Sequence, residues 1–157
     1  MNAVKGIYIL IISVDKNVRI NIGALGPVDF EEGMYAYVGS AQNSLESRVE
    51  RHFRKNKRRF WHIDYLLGNG AVSVLKVFYR NSERNHECRI ARETGEGGVA
   101  INGFGSSDCR CKSHLFRLES YSFLKEFMQE MPLQLFGRQT NGEERLVRLD
   151  YRFARQR

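Results

Sequence analysis

The chain has no apolar run long enough to cross a bilayer: its longest, residues 7–12, falls far short of the roughly 20 residues a spanning helix needs. Its first residues carry no basic region followed by a longer apolar run and a small-residue cleavage site. The expectation is therefore a cytoplasmic protein that makes no use of a membrane. Cysteine is scarce, and three in 157 residues is an odd number that makes no disulfide framework; reduced thiols, a metal site or buried packing remain. There is no internal repeat, low-complexity tract or long linker. No Gly-Lys-Ser/Thr follows a glycine-rich turn, which excludes a nucleotide P-loop.

What is present suits one domain. Apolar residues make up 42% and aromatics 11%, enough for a real core. Net charge is +7, unevenly spread: residues 44–59 carry +5 and 138–157 carry +3, whereas 60–137 sum to zero. The first block holds Arg48, Arg51, Arg54, Lys55, Lys57, Arg58 and Arg59 beside Phe60, Trp61 and His62. That mixture suits phosphate contacts with nearby stacking, so Arg51, Arg54, Lys55, Lys57, Arg58 and Arg59 are candidate nucleic-acid-binding residues. A solvated helix end, whose dipole favours cations, is the plainer alternative.

Along the chain, residues 6–14 and 19–22 read as a hairpin, 28–33 as an acidic loop and 34–38 as a third strand. A helix follows, capped by Asn43 with Glu46 three residues on; Leu45, Val49 and Phe53 form its apolar stripe, with Arg48 and His52 along the stripe's edge. Residues 61–67 are a short helix or strand, and 72–79 a buried strand. A second helix spans 84–94 with Glu87, Ile90, Ala91 and Thr94 on one face, and an unpaired carboxylate there would need a cation, a metal or a hydrogen-bonded partner. The glycine-rich stretch 95–105 reads as a mobile loop, 123–128 as an amphipathic helix stopped by Pro132, and 147–153 as a strand with one charged face. The expected organisation is a body over 1–131 and a basic C-terminal extension over 132–157, a strand or hairpin packed on the same domain.

Gly6-Ile7-Tyr8, Tyr37-Val38-Gly39, Arg48, His52 and Glu87 stand in an order that resembles the GIY-YIG nuclease superfamily. Arg48 follows Tyr37 by the family-like 11 residues. The words Tyr37-Val38-Gly39-Ser40-Ala41, Arg51-His52, Trp61-His62-Ile63-Asp64-Tyr65-Leu66, Glu87-Cys88 and Cys109-x-Cys111-x-Ser113-His114 are similar to an uncharacterised, largely archaeal branch, sometimes fused to an endonuclease III-type repair protein. The likeness covers roughly residues 4–118. One departure is the 29 positions between Tyr8 and Tyr37, which typical members join by a short hairpin connection.

The resemblance implies an α+β fold, a small, mostly antiparallel sheet flanked by helices. It also implies a structure-selective DNA endonuclease, used in repair, that hydrolyses phosphodiester bonds with one divalent ion, Mg2+ or Mn2+. Tyr8, Tyr37, Arg48, His52 and Glu87 become the catalytic candidates. Glu87 would hold the ion, since a hard oxygen ligand suits such a cation. Arg48 would neutralise charge growing on phosphate. Tyr8, with Tyr37 or His52, would orient or deprotonate water; His52 is the more natural base by its ordinary pKa, and the residues alone do not fix which one acts. DNA is the expected partner, with RNA also open and a DNA-repair protein as a further partner. The alternative is a nucleic-acid-binding or repair-protein-interaction module on the same scaffold, without turnover. Cys88, Cys109, Cys111 and His114 could make a tetrahedral zinc site, but Cys-x-Cys-x-x-His departs from the usual finger spacing and Cys88 must reach across the glycine loop. That spacing favours buried or loop thiols over zinc.

Overall fold

The computed structural model describes residues 4–136 and has an α+β architecture. Its elements are β1 (Gly6–Val14), β2 (Val18–Asn21), β3 (Pro27–Phe30), β4 (Gly33–Ala41), α1 (Leu45–Phe53), α2 (His62–Leu67), β5 (Val72–Arg80), α3 (Glu87–Gly95), β6 (Val99–Ala100), β7 (Leu115–Leu118) and β8 (Gln129–Met131), with short 3-10 turns between them. Six strands form one antiparallel sheet in the order β6-β7-β4-β1-β5-β8. Among the described residues no helix is long and apolar enough to cross a membrane.

The sequence of β1, Gly-Ile-Tyr-Ile-Leu-Ile-Ile-Ser-Val, explains its central place. It is apolar at odd and even positions alike, so it is stable only where both faces are covered. Tyr8, Leu10, Ile12 and Val14 face Leu45 and Val49 of α1 and Ile63 and Leu66 of α2. Ile7, Ile9 and Ile11 enter a second core with Ile90 and Ala91 of α3, Leu124 and Met128. Each fully buried side chain of this size contributes about 1.5–3 kcal/mol, which makes β1 the strand around which both layers assemble. The outer strands β6 and β8 span two and three residues, a short edge that limits strand pairing with other chains.

Several expectations change. β2 does not pair with β1, because β4 and β5 occupy both of its edges; β2 pairs instead with β3 in a separate ribbon. The segment read as an acidic loop supplies β3, where Val28 and Phe30 alternate with Asp29 and Phe30 is buried. The α1 cap is Ser44, whose Oγ accepts the amide of Ser47 at 3.2 Å, one position after Asn43. Residues 62–67 are helical. The glycine-rich stretch contains β6, and Gly103 and Gly105 turn the chain at φ +79° and +70°. In place of an amphipathic helix over 123–128, Ser122–Glu126 forms a 3-10 turn: β8 starts at Gln129 to pair with β5, which leaves too little chain for a longer helix. Past β8, Phe136 stacks on Phe53 of α1 with ring centroids 5.3 Å apart. The strand over 147–153 lies outside the described residues.

Candidate active site

The register of β1 on β4 builds the site's floor. Tyr8 lies opposite Gly39 and Leu10 opposite Tyr37, so Tyr8 and Tyr37 are diagonal neighbours on one sheet face, with ring centroids 6.5 Å apart. Gly39 is required at its place: a Cβ there would stand 2.5 Å from Cζ and Oη of Tyr8. From α1, His52 reaches down to this floor, and its Nε2 lies 2.6 Å from the Tyr8 hydroxyl. The long connection, 29 positions from Tyr8 to Tyr37, therefore leaves the two tyrosines adjacent.

Burial sets the protonation of this layer. It raises Tyr8 well above the ordinary phenol value, an effect that Tyr37 adds to and Arg48 opposes; it raises Tyr37 as well, with Glu87 adding to it. It lowers His52 to about 3, with Lys57 contributing next. At neutral pH the pair Tyr8–His52 thus shares one proton with no net charge. Nδ1 of His52 is buried without a hydrogen-bond partner among the described residues.

Above the floor is a cleft of about 520 Å3 bordered by Tyr8, Tyr37, Arg48, Trp61, His62 and Glu87. Arg48 donates from Nη1 to the Ser40 carbonyl at 3.1 Å, and its guanidinium carbon lies 4.5 Å from the Trp61 ring centre. Glu87 opens α3; its side chain is 22% exposed, and Oε1 sits 3.3 Å from Nδ1 of His114. Glu87, partly exposed beside two buried phenols and an arginine and with Asp108 also on the cleft's border, fits a hard divalent ion, which keeps most of its waters and takes few protein ligands. A larger hollow of about 720 Å3 is bordered by Arg54, Lys55, Arg59 and Leu133; among the described residues Asp64 is the one carboxylate on its wall, and it is already paired.

The basic block divides in two. Arg51 holds buried Asp64 through two bonds of 2.8 and 3.0 Å, and its guanidinium carbon lies 4.3 Å from the Trp61 ring centre. Lys57 donates to the carbonyls of Arg51 and His52 at 3.1 and 3.0 Å, closing the C-terminal end of α1. These two cations build the site. Arg54, Lys55, Arg58 and Arg59 are exposed, as is Phe60 at 71%, and the guanidinium carbon of Arg58 lies 5.4 Å from the Phe60 ring centre. Tryptophan is by type a core anchor, and Trp61-His62-x-Asp64 as a pattern suggests that Asp64 caps a helix or orients His62. Asp64 does cap α2, accepting the amides of Phe60 and Trp61 at 2.9 and 3.0 Å, but its charged partner is Arg51; Trp61 is 37% exposed and walls the cleft. His62 instead accepts the Gly105 amide on Nδ1 at 2.9 Å.

Cys88, Cys109, Cys111 and His114 meet in space despite their irregular spacing, with one donor atom from each lying within 4.8 Å of all the others. β7 returns beside β4, and the loop before it brings Cys109 and Cys111 to the first turn of α3. No curated protein and no solved structure matches the chain. A family model described as a domain of unknown function, DUF123, matches residues 7–136, nearly the whole described body and well over half of the sequence, and the chain belongs to that family.

Proposed function

We propose that the chain is a metal-dependent, structure-selective DNA endonuclease of GIY-YIG type, working in the cytoplasm in DNA repair. The observation that carries this reading is the convergence of Tyr8, Tyr37, Arg48 and Glu87, from four different elements, on one cleft whose floor includes the Tyr8–His52 hydrogen bond.

Each side chain has a chemical task. Tyr8 orients the attacking water; as the water gives its proton to the phenol oxygen, the phenol proton moves to Nε2 of His52, so the buried layer is charged only during the step. Nε2 of His52 lies 2.6 Å from the hydroxyl, and because burial makes the imidazole a weak base it holds that proton only transiently and returns it to the phenol oxygen once the leaving oxygen is protonated from the cleft. Arg48 meets the charge developing on the phosphate, its fork held toward the cleft by Ser40 and Trp61. Tyr37 flanks Tyr8 and keeps bulk water from the relay. Glu87 would hold Mg2+ or Mn2+, which when bound supplies Lewis acidity to a phosphate or leaving oxygen.

The test is incubation of the purified protein with nicked, branched, single-stranded and duplex DNA, with Mg2+ or Mn2+ and with chelator, alongside Glu87→Gln and Arg48→Ala. Metal-dependent cutting that both variants lose, with DNA binding retained by Glu87→Gln, supports the reading. Salt-sensitive binding with no cutting on any substrate overturns it. That outcome would favour the second reading, a non-catalytic nucleic-acid-binding module, which the exposed Phe60 and Trp61, directly following the exposed Arg58 and Arg59 in the chain, support independently.

A further inference from the structure

We propose that Cys88, Cys109, Cys111 and His114 bind one zinc ion in a closed tetrahedral site that fastens the wall of the cleft to the sheet. The inference does not depend on the nuclease reading, because none of the four is a catalytic candidate and their chemistry selects a different ion.

The geometry is close to what such an ion needs. With zinc–sulfur bonds of about 2.3 Å and zinc–nitrogen bonds of about 2.0 Å, tetrahedral donors stand roughly 3.5–3.8 Å apart. Nε2 of His114 lies 3.5 Å from Sγ of Cys109 and 4.0 Å from Sγ of Cys88. All four donor atoms lie within 4.8 Å of one another, so a small contraction completes the shell.

The imidazole is also prepared for a ligand. Its other nitrogen, Nδ1, is 3.3 Å from both the Val38 carbonyl oxygen and Oε1 of Glu87, and both of these are acceptors. Nδ1 therefore carries the hydrogen, and Nε2 presents its lone pair toward the thiols. A carboxylate or carbonyl fixing the tautomer of a ligating histidine is a recurring support in zinc sites. Three sulfurs and an imidazole suit zinc over Mg2+ or Mn2+, which prefer oxygen ligands. Four protein donors fill the shell and leave no open position for substrate, so the role is structural.

Its position gives that role content. Cys88 directly follows Glu87 in the first turn of α3. Cys109 and Cys111 close the loop whose Gly105, Ser107 and Asp108 border the cleft. His114 accepts the amide of Val38, next to Gly39, on its backbone carbonyl at 2.9 Å. One ion would tie helix, loop and β4 together within a few ångströms of Glu87.

The experiment is elemental analysis of the full chain purified under reducing conditions, followed by exchange of the ion for Co2+. Expected are one zinc per chain, a near-ultraviolet sulfur-to-cobalt band with the visible absorption of a tetrahedral centre, and thiols that react with Ellman's reagent only after chelation. Cys109→Ser and Cys111→Ser should lose the zinc, whereas Glu87→Gln, which removes a carboxylate but no zinc donor, should keep it. Should the cysteine variants fail to fold, the cobalt spectrum and thiol protection of the unaltered chain decide the matter. A chain free of zinc after reconstitution, with three reactive thiols or a disulfide and no cobalt–thiolate band, overturns the proposal.

Discussion

Asp64→Ala should unlatch the wall of the cleft, and the cost can be worked from its contacts. The Asp64 side chain is fully buried, while that of Arg51 is 22% exposed. The carboxylate receives four bonds, two from the Arg51 guanidinium at 2.8 and 3.0 Å and one each from the amides of Phe60 and Trp61 at 2.9 and 3.0 Å. Burial alone would push its carboxyl pKa up; Arg51 and the two amides outweigh that and hold it below the ordinary carboxylate value. Removing one partner of a buried ion pair costs about 3–5 kcal/mol, because the other charge stays behind without compensation. The two released amides would add about 1 kcal/mol each if they stayed dry, but Phe60 and Trp61 are exposed enough for water to reach them, so the total stays near 3–5 kcal/mol.

Trp61 is the only tryptophan in the chain, so intrinsic fluorescence reads the latch itself. Urea unfolding should show a midpoint lowered with unchanged slope, and the native-state emission should move as Arg51 leaves the ring. Arg51→Ala should cost a comparable amount, and the double variant much less than the sum, since each single change already breaks the pair. Asp64→Asn, which keeps acceptors for the amides and loses the charge, should fall between. A loss under about 1 kcal/mol in Asp64→Ala, with Trp61 emission unaltered, would refute the view that this pair orders the cleft.

Two further predictions concern the floor. Gly39→Ala places a methyl 2.5 Å from Cζ and Oη of Tyr8, so the ring must move; the expected cost is about 1–3 kcal/mol by thermal unfolding, and the proposed cutting activity should fall even at temperatures where the variant is fully folded. His52 is held at about 3 against an ordinary 6.5, so between those values the unfolded chain binds the extra proton. Its contribution is whole above about pH 6.5 and is lost as pH falls, reaching about 5 kcal/mol at the lower limit at about 1.4 kcal/mol per unit. His52→Gln should flatten the decline in urea midpoint between about pH 6.5 and 4, and a variant as acid-sensitive as the parent would contradict a buried neutral imidazole.

What the sequence made legible is what local pattern controls. The unbroken apolar run of β1 marks a strand covered on both faces, and the Leu45, Val49, Phe53 stripe puts Arg48 and His52 on the edge of α1. What stayed hidden depends on partners distant in the chain. Nothing around Arg51 announces Asp64, 13 residues on, because the pair forms only when α2 packs beside α1. Cys88, Cys109, Cys111 and His114 can be picked out as a possible set from the sequence, but that they meet follows from β7 returning beside β4, a pairing the glycine-rich stretch obscures. The β2–β3 ribbon is hidden for the same reason, since a strand's partner depends on which edges remain open.

The insertion between the two tyrosines shows how a long connection can leave a site intact. A slip of one residue between β1 and β4 would turn Tyr8 or Tyr37 to the opposite face. The observed register sets a glycine directly opposite Tyr8, and Gly39 is where a side chain would collide with that ring. The same register lets Ile7, Ile9 and Ile11 enter one core while Leu10, Ile12 and Val14 enter the other. Steric room at Gly39 and burial on both faces therefore select one pairing together. The loop length between the strands changes the entropy of closing them only slowly, by about 0.6 kcal/mol per doubling, so the ribbon could be accommodated without moving Tyr8 away from Tyr37.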